Sequence, residues 1–229
     1  MRYFVLVILL TCFLPKGQSQ IYEVGVFAGG SNFIGDVGAT DYISPNALAV
    51  GAILKWNRSP RHSWRASIIY ADLEGRDARS DDPRRQLRDY SFDTSVLEIS
   101  AGMEFTFWEF NLHEIDRQFA PYIYSGINTA LHNNYFFDTN GEYTDENTNS
   151  WAFGIPMVLG AKTNVSKHLV LAAEIGARYT FSDELDGSVP DDPFRENLSF
   201  GNTNSNDWYV FTGLTLTYTF GQRPCYCNF

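Results

Sequence analysis

The residues whose chemistry could be catalytic or metal-binding are few. His62, His113, His132 and His168 lie far apart in the chain, and no two share a metal-ligand spacing. A hydrolase needs its nucleophile and base within hydrogen-bond reach. Ser125 and His132 are the nearest such pair, yet seven positions of a strand would hold them more than about 20 Å apart, on opposite faces. These residues imply no enzyme, no cofactor and no small-molecule substrate. Cys225 and Cys227, one residue apart, make no disulfide framework; free thiols, a local disulfide, a metal site shared with a partner and an intermolecular bond stay open. Acids crowd two segments: Asp138, Glu142, Asp145 and Glu146, then Asp183, Glu184, Asp186, Asp191, Asp192 and Glu196. Ca²⁺ prefers oxygen ligands, but no spaced calcium loop is present, so a solvated rim is expected. Arg76, Arg79, Arg84, Arg85 and Arg88 are mixed with Asp77, Asp81, Asp82 and Asp89, which describes either a self-neutralising loop or a bridge to anionic lipopolysaccharide.

A second set of ionisable residues says more. Glu23, Lys55, Arg65, Glu98, Glu104, Lys162, Glu174 and Arg178 sit inside otherwise apolar stretches, each out of phase with the apolar residues around it. Period-2 alternation marks strands with unlike faces. Were the faces reversed, each Arg or Lys would meet lipid at a cost of about 2–4 kcal/mol near a bilayer midplane. With four acids and four bases, a narrow interior can hold them as a neutral, mutually paired network, which burial requires.

The elements that position this network are strands. The clearest runs from Trp208 to Phe220, where Leu214, Leu216, Tyr218 and Phe220 alternate with Thr215, Thr217 and Thr219. Lipid on the first face and a barrel interior on the second would suit it, as the strand that closes a barrel against strand one. Seven further candidates are Tyr22–Gly29, Ala47–Asn57, Ser63–Asp72, Thr94–Phe107, Pro121–His132, Trp151–Lys162 and Leu169–Phe181. Most reach the roughly 9–11 residues of a tilted membrane strand. Long polar connections (Ser31–Asn46, Glu74–Asp93, Asn133–Ser150, Ser182–Asp207) alternate with tight links (Arg58–His62, Glu109–Gln118, Asn164–His168), the asymmetry of outer loops and periplasmic turns. Only closed barrels cross a membrane with strands. The expectation is an all-β fold: an eight-stranded antiparallel up-and-down transmembrane β-barrel with a side-chain-filled interior and no pore. Pro156, mid-strand, predicts a bulge or a local opening of the ladder.

Met1-Arg2, the apolar run Tyr3–Leu14 and the small residues before Ser19 describe a cleaved signal peptide over 1–19, leaving a barrel over 20–229 with a short tail, 221–229. Cys12 lies within the apolar run and is not read as a lipidation site. The formal net charge of −10, with no Lys/Arg run, argues against nucleic acid as partner. A soluble lipocalin-like barrel is disfavoured, because its aromatics would have to turn inward and its paired charges outward.

Several words of the sequence are familiar together: Gly29-Gly30-Ser31-Asn32-Phe33-Ile34-Gly35-Asp36, Lys55-Trp56-Asn57-Arg58-Ser59-Pro60-Arg61, Phe107-Trp108-Glu109-Phe110-Asn111-Leu112-His113-Glu114, Gly176-Ala177-Arg178-Tyr179-Thr180-Phe181 and Asn204-Ser205-Asn206-Asp207-Trp208-Tyr209. They resemble the PorG family, small outer-membrane β-barrels associated with the type IX secretion system of Bacteroidetes bacteria. The resemblance spans essentially the whole mature chain and is weakest in the outer loops. It implies a non-enzymatic component of the secretion or gliding machinery in the cell outer membrane, with both termini periplasmic. Such a protein ties a periplasmic ring, built from a lipoprotein and a soluble partner, to the outer membrane. Contacts to that ring would then fall on the periplasmic links, first on Asn111, Leu112, His113, Glu114, Ile115 and Asp116, whose two apolar residues have no lipid to meet. A lipid-modifying barrel enzyme and a surface-binding barrel are the alternatives.

Overall fold

The computed structural model describes residues 21–114, 116–202 and 206–221. The expected signal peptide 1–19, Ile115 and the tail beyond Gly221, with Cys225 and Cys227, lie outside the described residues. Alternating β-branched, aromatic and small residues favour pleated strands, and eight form: β1 (Ile21–Ile34), β2 (Ala47–Asn57), β3 (His62–Arg76), β4 (Ser91–Thr106), β5 (Phe119–Phe137), β6 (Tyr143–Asn164), β7 (Leu169–Thr180) and β8 (Trp208–Phe220). They pair in sequence order into a closed barrel. β8 seals it against β1 in an antiparallel register running from Tyr22↔Phe220 to Ile34↔Trp208. Closure leaves no strand edge unpaired. Among the described residues no helix is long and apolar enough to cross a membrane.

β2 and β8 have the limits expected from their alternation. β4 and β7 end one residue earlier than expected, at Thr106 and Thr180, while β1, β3, β5 and β6 run further. The largest correction concerns Asn133–Ser150, expected as a long loop. There β5 and β6 continue as a hairpin, with Tyr135 paired to Asp145 and Phe137 to Tyr143, and only a short turn between. Aromatic packing explains it: Tyr135 stacks on Tyr143 at 4.6 Å, and Phe137 stacks on Tyr90 at 4.5 Å. A register shift near Asn133 and Tyr135 absorbs the extra β6 residues, among them Asn147 in the left-handed region at φ 57°.

Pro156 opens the ladder locally. Ser125↔Met157 and Asn128↔Gly154 are paired in one register, and the two steps between them are not. Phe181 N donates to Phe153 O at 2.7 Å, so odd-numbered residues here turn their backbone groups to β7 and Pro156 turns its own to β5. The ring lacks the N–H that the Gly126 carbonyl would receive.

Inside, an apolar cluster that includes Phe27, Ile53, Ile69, Leu73, Phe92, Val96 and Phe211 fills the half of the barrel toward the long connections. A short helix, α1 (Pro83–Arg88), lies in the connection between β3 and β4. Arg88 on it lies over the rings of Tyr90 and Phe200 and pairs with buried Asp77 at 2.7 Å. Arg84 pairs with Asp82, and Arg76 with Glu74. The arginine-rich loop is therefore in large part neutralised by its own acids.

Candidate functional site

The wall of the barrel has two unlike faces. Leu214, Leu216, Tyr218 and Phe220 point outward, 42–54% exposed, while Thr215, Thr217 and Thr219 are buried. The same division holds around the barrel: Val24, Val26, Leu48, Trp64, Ile68, Ile99, Phe153 and Leu159 are all exposed. Aromatics gather at the ends of this surface. Tyr22 and Phe220 stack at 5.8 Å on the turn side, and Tyr179, Phe181 and Trp208 pack edge-on toward the loop side. Soluble proteins rarely expose so continuous an apolar surface, whereas a lipid-facing band flanked by aromatic girdles has this form.

The eight strand charges, Glu23, Lys55, Arg65, Glu98, Glu104, Lys162, Glu174 and Arg178, all point inward and are no more than 5% exposed. They assemble in tiers. Nearest the turn side, Glu104 lies between two lysines, Lys55 at 2.7 Å and Lys162 at 2.8 Å. In the next tier the Arg65 guanidinium grips Glu174 with two bonds of 2.7 Å, and Tyr122 OH donates to the same carboxylate at 2.6 Å. Toward the loop side Arg178 meets Glu98 at 3.2 Å and lies 4.2 Å over the Phe211 ring; Tyr209 OH and Asn128 Nδ2 complete the shell around Glu98. Bidentate and charge-assisted bonds of this kind offset the desolvation that burial imposes.

One member departs from the expected pairing. Glu23 stands opposite Lys55 in the ladder, but that ammonium turns to Glu104, which collects both lysines. The Glu23 carboxylate instead accepts from Asn57 Nδ2 at 2.8 Å and Thr217 Oγ1 at 2.6 Å. The acids and bases of the set balance in number, while the pairing is uneven. Tyr122, Asn128 and Tyr209 carry part of the shell without having been singled out in the sequence. For Tyr122 and Asn128 the signal was the irregular apolar pattern of β5, where both fall in the inward phase with Tyr124; Tyr209 shares the inward phase of Thr215, Thr217 and Thr219 on β8.

The turn-side end is closed by the link between β4 and β5. Gln118 braces it: its Nε2 donates to Asn111 O, its Oε1 accepts from Asn111 N, and its backbone N donates to Asn164 Oδ1, each at 2.7 Å. Asn164 Nδ2 reaches back to Asp116 O at 2.7 Å. Of the residues expected to meet a partner, Glu114 and Asp116 are exposed, and Asn111 and His113 half-buried. Leu112 is half-buried and packs onto Phe110, Ala120 and Val170 at the barrel end.

At the opposite end the rim is less solvated than its composition suggests. Asp186 is fully buried, accepting from the backbone N of Asp36, Val37 and Ser188, and buried Asp207 accepts from Leu185 N. Asp186 ties the β7–β8 connection to the β1–β2 connection, and Asp207 braces the β7–β8 connection internally. Burial, with Asp186 and Asp36 close by, pushes the Asp183 carboxyl up to about 7, and burial also raises Asp186 and Asp207. Among the described residues no cluster of His, Cys, Asp and Glu is arranged to hold a metal. Ser125 faces outward and His132 inward, so the one nucleophile–base pair considered in the sequence does not meet.

The model of one family, "Domain of unknown function (DUF6089)", matches residues 1–229, the whole chain. The chain belongs to the DUF6089 family. No match is found among curated protein sequences. Solved structures similar to the chain include Ail, the attachment invasion locus protein of Yersinia pestis, in complex with the heparin analogue sucrose octasulfate (10% identity, 89% of this chain and 100% of that one, TM-score 0.46). A major outer membrane protein from Thermus thermophilus is similar at 13% identity (88% and 99%, TM-score 0.45). Neisserial surface protein A is similar at 11% (88% and 96%, TM-score 0.42). The closed strand order of this DUF6089 chain, rather than those likenesses, carries its architecture.

Proposed function

We propose that this protein is a non-enzymatic barrel of the outer membrane that anchors a periplasmic partner of a secretion or gliding machine. The observation that carries the reading is the inversion of its wall. Apolar and aromatic residues cover the outside, and every strand charge of the network is buried within a packed interior. Such an object is stable in lipid and has no use for its interior except stability. Function then falls to its two ends. The links between strands form the tightly braced side, and the link carrying Asn111, Leu112, His113, Glu114, Ile115 and Asp116 is the longest of them. The resemblance to the PorG family supports the more specific assignment: contact with the ring lipoprotein and its soluble partner in type IX secretion, with both termini periplasmic and lipopolysaccharide around the loop side.

Affinity purification of the full-length protein from its own membranes in mild detergent, with mass spectrometry of what co-purifies, tests this. A periplasmic lipoprotein should be recovered, and the double substitution L112D/I115D in that link should lower its recovery about tenfold while barrel insertion is unchanged. Recovery of no periplasmic protein would remove the anchoring reading.

A further inference from the structure

His113, His168 and Lys167 belong to different links and take no part in the interior network, yet the fold brings them to one place. They line a cavity of about 170 Å³ at the turn-side mouth, whose apolar wall is Ile21, Leu112 and Phe220. We propose that this cavity binds an acidic peptide segment of a protein partner, one apolar side chain entering the cavity and the neighbouring carboxylates resting on Lys167, His113 and His168. The inference rests on the reading of the turn side as the partner-facing side and names what it recognises there.

The cavity is built by braced backbone rather than by loose side chains. His113 N donates to Asn111 Oδ1 at 3.1 Å, within the link that Gln118 holds. Thr219 N donates to His168 O at 2.8 Å, and the His168 ring packs 5.6 Å from Tyr218. Leu112 lines the cavity and packs against Phe110, Ala120 and Val170. Basic groups dominate its polar lining, and among the described residues no carboxylate contributes. The nearest acid in sequence, Glu114, is turned away, its Oε1 accepting from Asn111 Nδ2 at 3.2 Å. Among the described residues Lys167 makes no ion pair, and it is exposed. Arg58, Arg61 and Arg117 share this end with Glu109, Glu114 and Asp116, and Arg61 pairs with Glu109 at 3.5 Å; among the described residues Lys167 is the one fully charged side chain that lines the cavity, so the cavity itself favours an anion. Size decides between anions. The volume lies below the roughly 300–1,000 Å³ of small-molecule sites, which admits one side chain and leaves the flanking carboxylates at the rim. Charge complementarity of this kind governs partner choice more than raw affinity.

The test is fluorescence anisotropy on the intact mature protein in detergent micelles, with a labelled Ser-Asp-Leu-Glu-Ser peptide as probe. Its amide counterpart Ser-Asn-Leu-Gln-Ser and the leucine-free Ser-Asp-Ser-Glu-Ser serve as controls. The probe should bind at least tenfold more tightly than either control. K167E should weaken it about tenfold, and R117E, a reversal at the same end outside the cavity, should leave it within twofold. Equal binding of the amide peptide, equal loss in the two variants, or displacement of the probe by micelles doped with phosphatidylglycerol would overturn the proposal. Probe binding without any co-purifying periplasmic protein would leave the cavity assigned and remove the anchoring reading; a recovered partner with no probe binding would do the reverse.

Discussion

The bond that most constrains the interior is the one between Arg65 and Glu174, whose partners lie on β3 and β7 and reach each other across the lumen. Truncating one partner strands the other as a buried charge, at a cost of about 3–5 kcal/mol, whereas replacing both by apolar residues of similar volume can be close to neutral. R65A is therefore expected to lose about that much stability in a denaturant titration of the refolded barrel, and R65M/E174L to recover most of it. A double variant as unstable as R65A would show that the pair is not an isolated unit. At this scale the sequence was informative about phase and poor about partners. The inward position of all eight charges followed from alternation, since a strand residue has only two faces. That Glu104 would gather two lysines and leave Glu23 to an amide and a hydroxyl depends on reach across the barrel, which periodicity does not encode. The packing of Leu112 was hidden likewise, because its contacts with Ala120 and Val170 come from β5 and β7.

Among the elements, β6 carries the largest local defect. Restoring an N–H at position 156 should give the Gly126 carbonyl its donor. P156V is expected to raise stability by about 0.5–1.5 kcal/mol, the net worth of one hydrogen bond; no gain would mean that the opening has another cause. The connection from β7 to β8 is held by buried carboxyls, and its stability should depend on pH. The Asp183 carboxyl is raised to about 7 in the folded protein, so its contribution is complete below the ordinary carboxylate range, near about 4, and is lost as pH rises through about 7. Hydrogen exchange at Leu185 to Ser188, corrected for intrinsic rates, should therefore be slower at pH 5.5 than at pH 8.5, and D207N should reduce the difference. Equal protection at both values would contradict the assignment. Strands whose alternation ran uninterrupted between turn residues, β2 and β8, could be bounded from sequence. The β5–β6 hairpin could not, because Asn, Asp, Thr and Gly fill Asn133–Ser150 and read as loop. Only the aromatic contacts of Tyr135, Phe137 and Tyr143 make it sheet.

The whole molecule joins an apolar exterior, a filled interior and two chemically distinct ends. A filled interior predicts no conductance: the purified protein in planar bilayers should show no steady channel openings, and ion-selective steps that disappear on loosening Arg178 would refute the packing described. The architecture was legible because alternation and the phase of the charges agreed on it; the expected alternation of connection lengths held except between β5 and β6, where the hairpin leaves only a short turn. The orientation of the barrel rests on fewer observations and decides which end can meet a periplasmic partner. It is tested most directly by cysteine labelling on intact cells, with Cys225 and Cys227 replaced by serine and single cysteines placed at Gly141 on the loop side or Ser166 on the turn side. A membrane-impermeant maleimide should label the Gly141 position in intact cells and the Ser166 position only after the outer membrane is permeabilised. Labelling of Ser166→Cys in intact cells, or of neither position until permeabilisation, would contradict the account.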